Sequence, residues 1–307
     1  MRQEETWKTG RKIAVIGSIN MDLTARTQRL PKKGETLSAE RMDYVPGGKG
    51  ANQAVAAARL GADVAMFGCV GDDAFGGRLI ENLRQNGVHT EYVQRLEGIS
   101  SGLALITVAE KDNCIVVVPG ANGQVSPAYL ELVKEQVLQA DIVLLQNEIP
   151  EETIAAAVDL CSRAGKTILY NPAPMRPVPE NLMEKVTYLT PNEHEAALLF
   201  PGAKDLEELM KAGDGRLIVT LGSEGAAAYR EGEILRIPVR PAKVMDTTGA
   251  GDTFNGALAC ALARGKELEE ALVFANTAAR LSTEKYGAQG GMPTAEEVEA
   301  VMGEESR

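Results

Sequence analysis

The sequence predicts an α/β fold: a predominantly parallel sheet covered by helices, with a smaller β-sheet set outside the main layer. Three observations carry that prediction. From Asp141 onward, apolar strand-like runs alternate with helical stretches, an order that implies β-α crossovers and therefore parallel strands. The earlier segments are shorter, interrupted by glycine and only imperfectly alternating, which sets some of them apart from the main sheet. The third is bulk: 307 residues, 44% apolar and only 4% aromatic, supply one large core and a small appendage packed through alanine and glycine.

Taken in order, residues 1–11 form a short exposed extension with no signal-type apolar region behind it. A first strand covers 13–16. Residues 24–44 mix turn formers with short extended pieces, and 46–61 open with glycines before a run of helix-favouring alanines. A strand over 62–67 precedes a glycine-rich turn at 68–77 that enters a helix over 78–86. Strands follow at 102–108 and 114–118. The cleaner rhythm then places strands at 140–146, 167–170, 188–189 and 216–221 and an extended region over 224–237. Helices fall around 151–164, 193–200 and 205–212, and a last helix and tail occupy 294–307. No internal repeat or low-complexity linker marks an independent second domain.

The formal charge of −11 argues against a nonspecific nucleic-acid partner, which requires a basic footprint. Cys69, Cys114, Cys161 and Cys260 are widely spaced, and with only His89 and His194 beside them they make no zinc pattern. No apolar stretch reaches membrane-spanning length. A cytoplasmic location is the default expectation.

The chemistry concentrates in the run DTTGAGDTFNGA, from Asp246 to Ala257. Gly249 and Gly251 allow a tight turn in which backbone N–H groups converge, and Phe254, Ala257, Leu258, Ala261 and Leu262 recur at helical spacing behind it. The first turn of that helix favours an anion. Asp252 is already anionic, and a hydroxyl arriving beside it would relieve the conflict by giving up its proton while attacking phosphorus. On residues alone, Asp252 also fits a plain helix cap.

The run PGGKGANQAVAAARLG, from Pro46 to Gly61, offers Lys49 and Asn52 at a helix entrance, although its alanines also fit a purely structural helix. It is not a Walker A loop, because Gly50 stands where Ser or Thr is required. Neither is the strand ending at Gly17 a dinucleotide fingerprint. Asn20 and Asp22 emerge just past that strand. Glu148 follows another, in LQNEIP from Leu145 to Pro150. The runs NPAP (Asn171 to Pro174), TPNEHE (Thr190 to Glu195) and TLGSEG (Thr220 to Gly225) are further strand-end turns.

Two of these runs together resemble the signatures of the ribokinase-like (PfkB) carbohydrate kinases: DTTGAGDTFNG their C-terminal motif, GGKGANQA their first. The resemblance extends from about residue 12 to 293. It implies a three-layer α/β/α core with a small β-sheet lid near 23–45 and 101–119, whose strands also join two subunits as a homodimer. It implies Asp252 as the catalytic base, with an anion hole from the backbone of Gly249, Ala250, Gly251 and Asp252. Asn20, Asp22, Gly48, Lys49, Asn52 and Glu148 would join Asp252 in holding the sugar. Asn192 and Glu195 would organise the triphosphate of ATP and its hydrated Mg²⁺, with Thr220 and Gly222 lining the nucleotide site.

Asn276 falls where the family contacts adenine, often through histidine. Asp246 and the Thr248 carbonyl, with carbonyls of the 282–291 region (Thr283, Lys285, Gly287, Gly291), would hold K⁺. Gly291 departs from the serine often found there. The resemblance gives His194 no role. The implied reaction is ATP-dependent phosphorylation of D-ribose at O5. A relative acting on another pentose, a ketose or a nucleoside is the nearest alternative, and a noncatalytic sugar-binding regulator is the alternative from a different class.

Overall fold

The structure is a computed structural model that describes residues 12–305 apart from 111 and 231. The extension expected at 1–11 and the last two residues of the expected tail lie outside the described residues. The chain opens with β1 (Lys12–Ile16), β2 (Asn20–Arg26), β3 (Arg41–Gly47), α1 (Lys49–Arg59), β4 (Asp63–Gly71), α2 (Ala74–Gln85), β5 (Val93–Leu96), β6 (Gly102–Ala109) and β7 (Asp112–Val118). It continues with α3 (Pro127–Val137), β8 (Ile142–Gln146), α4 (Glu151–Arg163), β9 (Thr167–Asn171), α5 (Glu180–Met183), β10 (Tyr188–Leu189), α6 (Glu193–Leu199) and α7 (Leu206–Ala212). The remainder is β11 (Ile218–Thr220), β12 (Ala226–Arg230), β13 (Glu233–Ile237), α8 (Ala250–Ala263), α9 (Leu268–Ser282), α10 (Ala288–Gly291) and α11 (Ala295–Glu305).

Six strands form one parallel sheet in the order β10-β9-β8-β1-β4-β5. Both faces are buried, which is why its strands are continuously apolar: Ile13, Val15, Ile142 and Leu144 point into one core, Ala14, Ile16, Val143 and Leu145 into the other. Residues of α1, α2, α8, α9 and α11 fill the first core; residues of α3 to α7 fill the second. This is the three-layer α/β/α arrangement. An antiparallel sheet, β11-β12-β13, adjoins the β10 end through the parallel bridge Leu189↔Leu217.

The outlying sheet has the order β3-β2-β6-β7, with β2 and β6 parallel and the outer pairs antiparallel. It begins at Asn20, so Asn20 and Asp22 belong to its second-from-edge strand rather than to a loop beyond the main sheet.

Two element boundaries differ from expectation. Residues 68–71 continue β4 instead of starting a turn: Gly68 is extended there because a Cβ would stand 2.8 Å from the Gly17 carbonyl, and only glycine lets β4 pass that close. Helix α2 starts at Ala74, four residues early, because the Asp73 side chain accepts from the N–H groups of Phe75 and Gly76.

Candidate active site

The site is built on the crossing of α1 and α8. A Cβ on Gly256 would stand 2.6 Å from the Gln53 carbonyl and 2.7 Å from Ala56 Cβ, so the helices touch through small residues. That contact sets Asn52 and Gln53 against Asp252, one turn earlier on α8. Asn52 Nδ2 donates to Asp252 Oδ2 at 2.9 Å and Gln53 Nε2 to Oδ1 at 3.2 Å. Asp252 is only 7% exposed. Burial pushes its pKa up; the Lys49 ammonium and the two amides pull it back, and burial prevails. The result is a carboxylate with raised basicity whose plane is fixed from both sides.

Gly249 caps α8 with a left-handed φ of 77°, a position where a Cβ would also meet Ala288 Cβ at 2.8 Å. Ala250, Gly251 and Asp252 form the first turn behind it. The Ala250 N–H donates to the Thr247 carbonyl at 3.2 Å, whereas Thr253 N is already bound to the Gly249 carbonyl at 2.8 Å.

On the other side of Asp252 the residues expected to hold the sugar converge. Gly48 adopts φ 89° at the head of α1, within reach of the backbone of Ser18 and Asn20. The Lys49 N–H donates to Glu148 Oε2 at 3.0 Å, and Ser18 Oγ donates to the same oxygen at 2.5 Å. The charge of Asp252, followed by those of Glu148 and Glu195, raises the Lys49 pKa against the opposing effect of burial. Asp22 is pushed up to about 7 by burial, then by the charges of Glu148 and Asp252. Its carboxylate lies over Gly47, where a Cβ would come within 2.3 Å. Asn20 Oδ1 accepts from Asn122 Nδ2 at 2.6 Å, which orients the Asn20 amide. Asn20, Asp22, Gly48, Lys49, Asn52, Glu148 and Asp252 therefore share one locality, although they come from four separated stretches of chain.

Beyond the head of α8 lies a cleft of about 780 Å³. Asn192, Thr220, Gly222, Asn276, Ala250 and Gly251 are among its lining residues. The bridge Asn192↔Thr220 sets the TPNEHE and TLGSEG turns side by side, which their sequence separation does not reveal. Glu195 is not part of the lining. Its carboxylate accepts from the Asn192 N–H at 2.9 Å while Asn192 Oδ1 accepts from the Glu195 N–H, a capping box that starts α6. The Asn276 amide donates to the Ile237 carbonyl at 2.8 Å. His194, given no role by the sequence, also lines the cleft.

The second carboxylate of the signature sits behind the turn. Asp246 Oδ1 accepts from the Thr248 N–H and Oδ2 from the Gly287 N–H, each at 2.9 Å. Burial pushes this carboxyl up, but those hydrogen bonds outweigh it and its pKa is lowered. The Thr283 carbonyl accepts from the N–H groups of Met245 and Asp246, and the Gly287 carbonyl from Gly291 N. The Lys285 ammonium reaches Glu297 at 2.7 Å, so it offers this loop only its backbone. At Gly291 a Cβ would stand 2.3 Å from the Ser282 carbonyl, which explains why no serine occupies that position. Among the described residues no group of three or more His, Cys, Asp or Glu side chains gathers as a metal centre. A cation at this loop would therefore be held chiefly by carbonyl oxygens, donors suited to K⁺.

Asn122 apart, which lies between β7 and α3, the polar residues that the sequence reading missed lie inside runs it had singled out. Gln53 follows Asn52, Gln146 ends β8, Asn171 ends β9, Asn255 lies in the signature and Gln289 in the 282–291 loop. Gln289 Nε2 donates to Asn52 Oδ1 at 3.0 Å; Thr190 Oγ1 donates to Asn255 Oδ1, and Asn255 Nδ2 to the Gly251 carbonyl at 2.9 Å. The available signal was an amide at the buried end of an apolar strand or helix, a placement that needs partners.

A parallel α/β core, a glycine turn heading a helix that carries a buried carboxylate, and a cleft beside it are the parts that a phosphotransferase needs. The chain belongs to the pfkB family carbohydrate kinases, whose sequence profile matches residues 11–295. It is 49% identical over 292 residues to ribokinase of Bacillus subtilis (strain 168), covering 95% of this chain and 99% of that protein. Ribokinase of Lactococcus lactis subsp. lactis (strain IL1403) is 48% identical, with 95% and 97% covered. The solved structure of Arabidopsis thaliana ribokinase complexed with ribose and ATP superposes with a TM-score of 0.88 at 35% identity, covering 96% of this chain and 99% of that one.

Proposed function

We propose that this kinase transfers the γ-phosphoryl group of ATP to O5 of D-ribose, giving ribose 5-phosphate and ADP. The observation that carries the reading is Asp252: a buried carboxylate of raised pKa, standing between the sugar-side cluster and the cleft that Ala250 and Gly251 share. Asn20, Asp22, Lys49, Asn52 and Glu148 orient the sugar. Asp252 takes the O5 proton as that oxygen attacks, and the N–H groups heading α8 stabilise the charge of the transferring phosphoryl. The relatives named ribokinase, and the one solved with ribose and ATP, support ribose as the acceptor.

ATP occupies the cleft along Asn192, Thr220, Gly222 and Asn276. Asn192 and Glu195 would orient the hydrated Mg²⁺ that accompanies the triphosphate, an ion that would offset its negative charge. K⁺ would be held behind the turn by Asp246 and the carbonyls of Thr248, Thr283, Lys285, Gly287 and Gly291, where it would supply fixed positive charge near the anion hole. The four-stranded sheet acts as a lid that excludes water, and two copies of it form a homodimer. The same reading places the enzyme in the cytoplasm, where exposed Cys114 stays reduced.

The test is ADP formation with Mg·ATP and a panel of ribose, deoxyribose, fructose and adenosine, with and without K⁺, followed by location of the new phosphate. Ribose-dependent turnover to the 5-phosphate is expected; faster turnover on another acceptor sinks the ribose assignment. Asp252→Asn is expected to lower kcat by roughly 10²–10⁴-fold with ligand binding largely kept. A near-normal rate in the folded variant removes Asp252 as base.

A further inference from the structure

One buried amide has no role in the reaction as described and is held at a cost. Gln146, fully buried at the end of β8, donates from Nε2 to Gln53 Oε1 at 2.7 Å. Its own oxygen has no hydrogen-bond partner, the one side-chain amide atom so placed among the described residues. That oxygen lies against the backbone of Gly17, where a Cβ would stand 2.1 Å from it. An unpaired buried acceptor lowers stability, so the orientation of this amide calls for a cause.

The cause lies two links along. An amide turned end for end exchanges donor for acceptor. If Gln146 turned, its oxygen would face Gln53 Oε1. Gln53 would then have to turn as well and present its oxygen to Asp252 Oδ1, setting two acceptors against each other in a buried site. On its other side, Gln53 Nε2 also meets Asn171 Oδ1 at 3.3 Å, and Asn171 is fixed by donating its own amide to the Thr190 carbonyl at 2.8 Å. Every neighbour of Gln53 thus imposes the same direction: donor toward Asp252, acceptor toward Gln146.

We propose that Gln146 is a positioning residue for phosphoryl transfer, acting through Gln53 to keep a hydrogen-bond donor on Asp252 Oδ1. The inference rests on Asp252 being the base. Gln146 touches no substrate. It fixes the plane of the carboxylate and favours its ionised form, and an unpaired oxygen under Gly17 is the structural cost.

The test is Gln146→Leu in the full-length protein. Removing the donor and the unpaired oxygen together is expected to leave the melting temperature unchanged or higher while kcat falls about tenfold or more. KM for sugar and ATP should stay within about twofold. Losing a donor to the charged form raises a carboxyl pKa, so the acid limb of the kcat–pH profile should move upward by about half a pH unit or more. Gln146→Met, which keeps the side chain's length, should behave alike. If Gln146 works through Gln53, then Gln53→Leu combined with Gln146→Leu is no slower than Gln53→Leu alone.

Wild-type kcat in Gln146→Leu overturns the proposal. So does a slowed variant with an unmoved acid limb, and so does a double variant in which the two losses multiply. Asp252→Asn assayed alongside separates the two claims. Turnover surviving in Asp252→Asn removes the base assignment, whereas an inactive Asp252→Asn beside a normal Gln146→Leu removes only the relay.

Discussion

The pKa of Asp22 is moved from 3.8 to about 7, first by burial and then by the charges of Glu148 and Asp252. Between those values the folded protein holds a proton that the unfolded chain has lost. Its contribution to stability is therefore complete at acid pH and disappears as pH rises through about 7. Asp22→Asn is expected to flatten the dependence of the ligand-free melting temperature on pH between about 5 and about 8, as followed by thermal melts. A slope equal to the parent's would mean that Asp22 ionises normally. At this scale the sequence exposed the charged and glycine positions, Asp252, Asp246, Lys49 and Gly249, because a charge or a glycine at a strand end or helix head is conspicuous. Of the two amides that hold Asp252, Asn52 stood out at a helix entrance and Gln53 did not. Gln53 and Gln146 read as ordinary polar residues until the fold places one on the other.

Among the elements, the contact of α1 with α8 governs the geometry of Asp252. Gly256 gives the two helices their closest approach, and a larger side chain there must push α8 away from Asn52 and Gln53. Gly256→Val is expected to cost roughly 1–3 kcal/mol by calorimetry and to lower kcat along with it. Retention of both would show that the crossing tolerates separation. The rhythm of α4, α6 and α7 was legible because each has a clear apolar phase between polar turns. The start of α2 was not, since Asp73 signals a cap only once its side chain is seen on Phe75 and Gly76. Nor was the continuation of β4 through Gly68, which depends on how near Gly17 passes. Local pattern specifies elements well where burial alone decides, and poorly where a neighbouring backbone decides.

Across the whole molecule the least covered apolar surface is on the outlying sheet. Every residue of β7 is exposed, Val116 at 61% and Ile115 at 53%. Register sets Val117 opposite Ala104 and Ala104 opposite Asp22, so one bare face of β7 is continuous with the face carrying the Asp22 carboxylate. A second copy seated there, as proposed, covers both. Ile115→Lys with Val117→Lys, both on that face, is expected to halve the mass seen by analytical ultracentrifugation and to raise KM for the sugar. A parent protein sedimenting as a monomer would end the dimer proposal. The two-sided parallel core could be read from its unbroken apolar strands; the pairing of β2 with β6 could not, because β3, α1, β4, α2 and β5 lie between them in the chain. The contact between Asn52 and Asp252 spans 200 residues. During synthesis Asn20, Asp22, Lys49 and Asn52 leave the ribosome long before α8 exists, because chains are made from their N-terminus. A nascent or prematurely ended chain therefore lacks Asp252 and the Gly249 turn, and on the proposed mechanism incomplete copies consume no ATP.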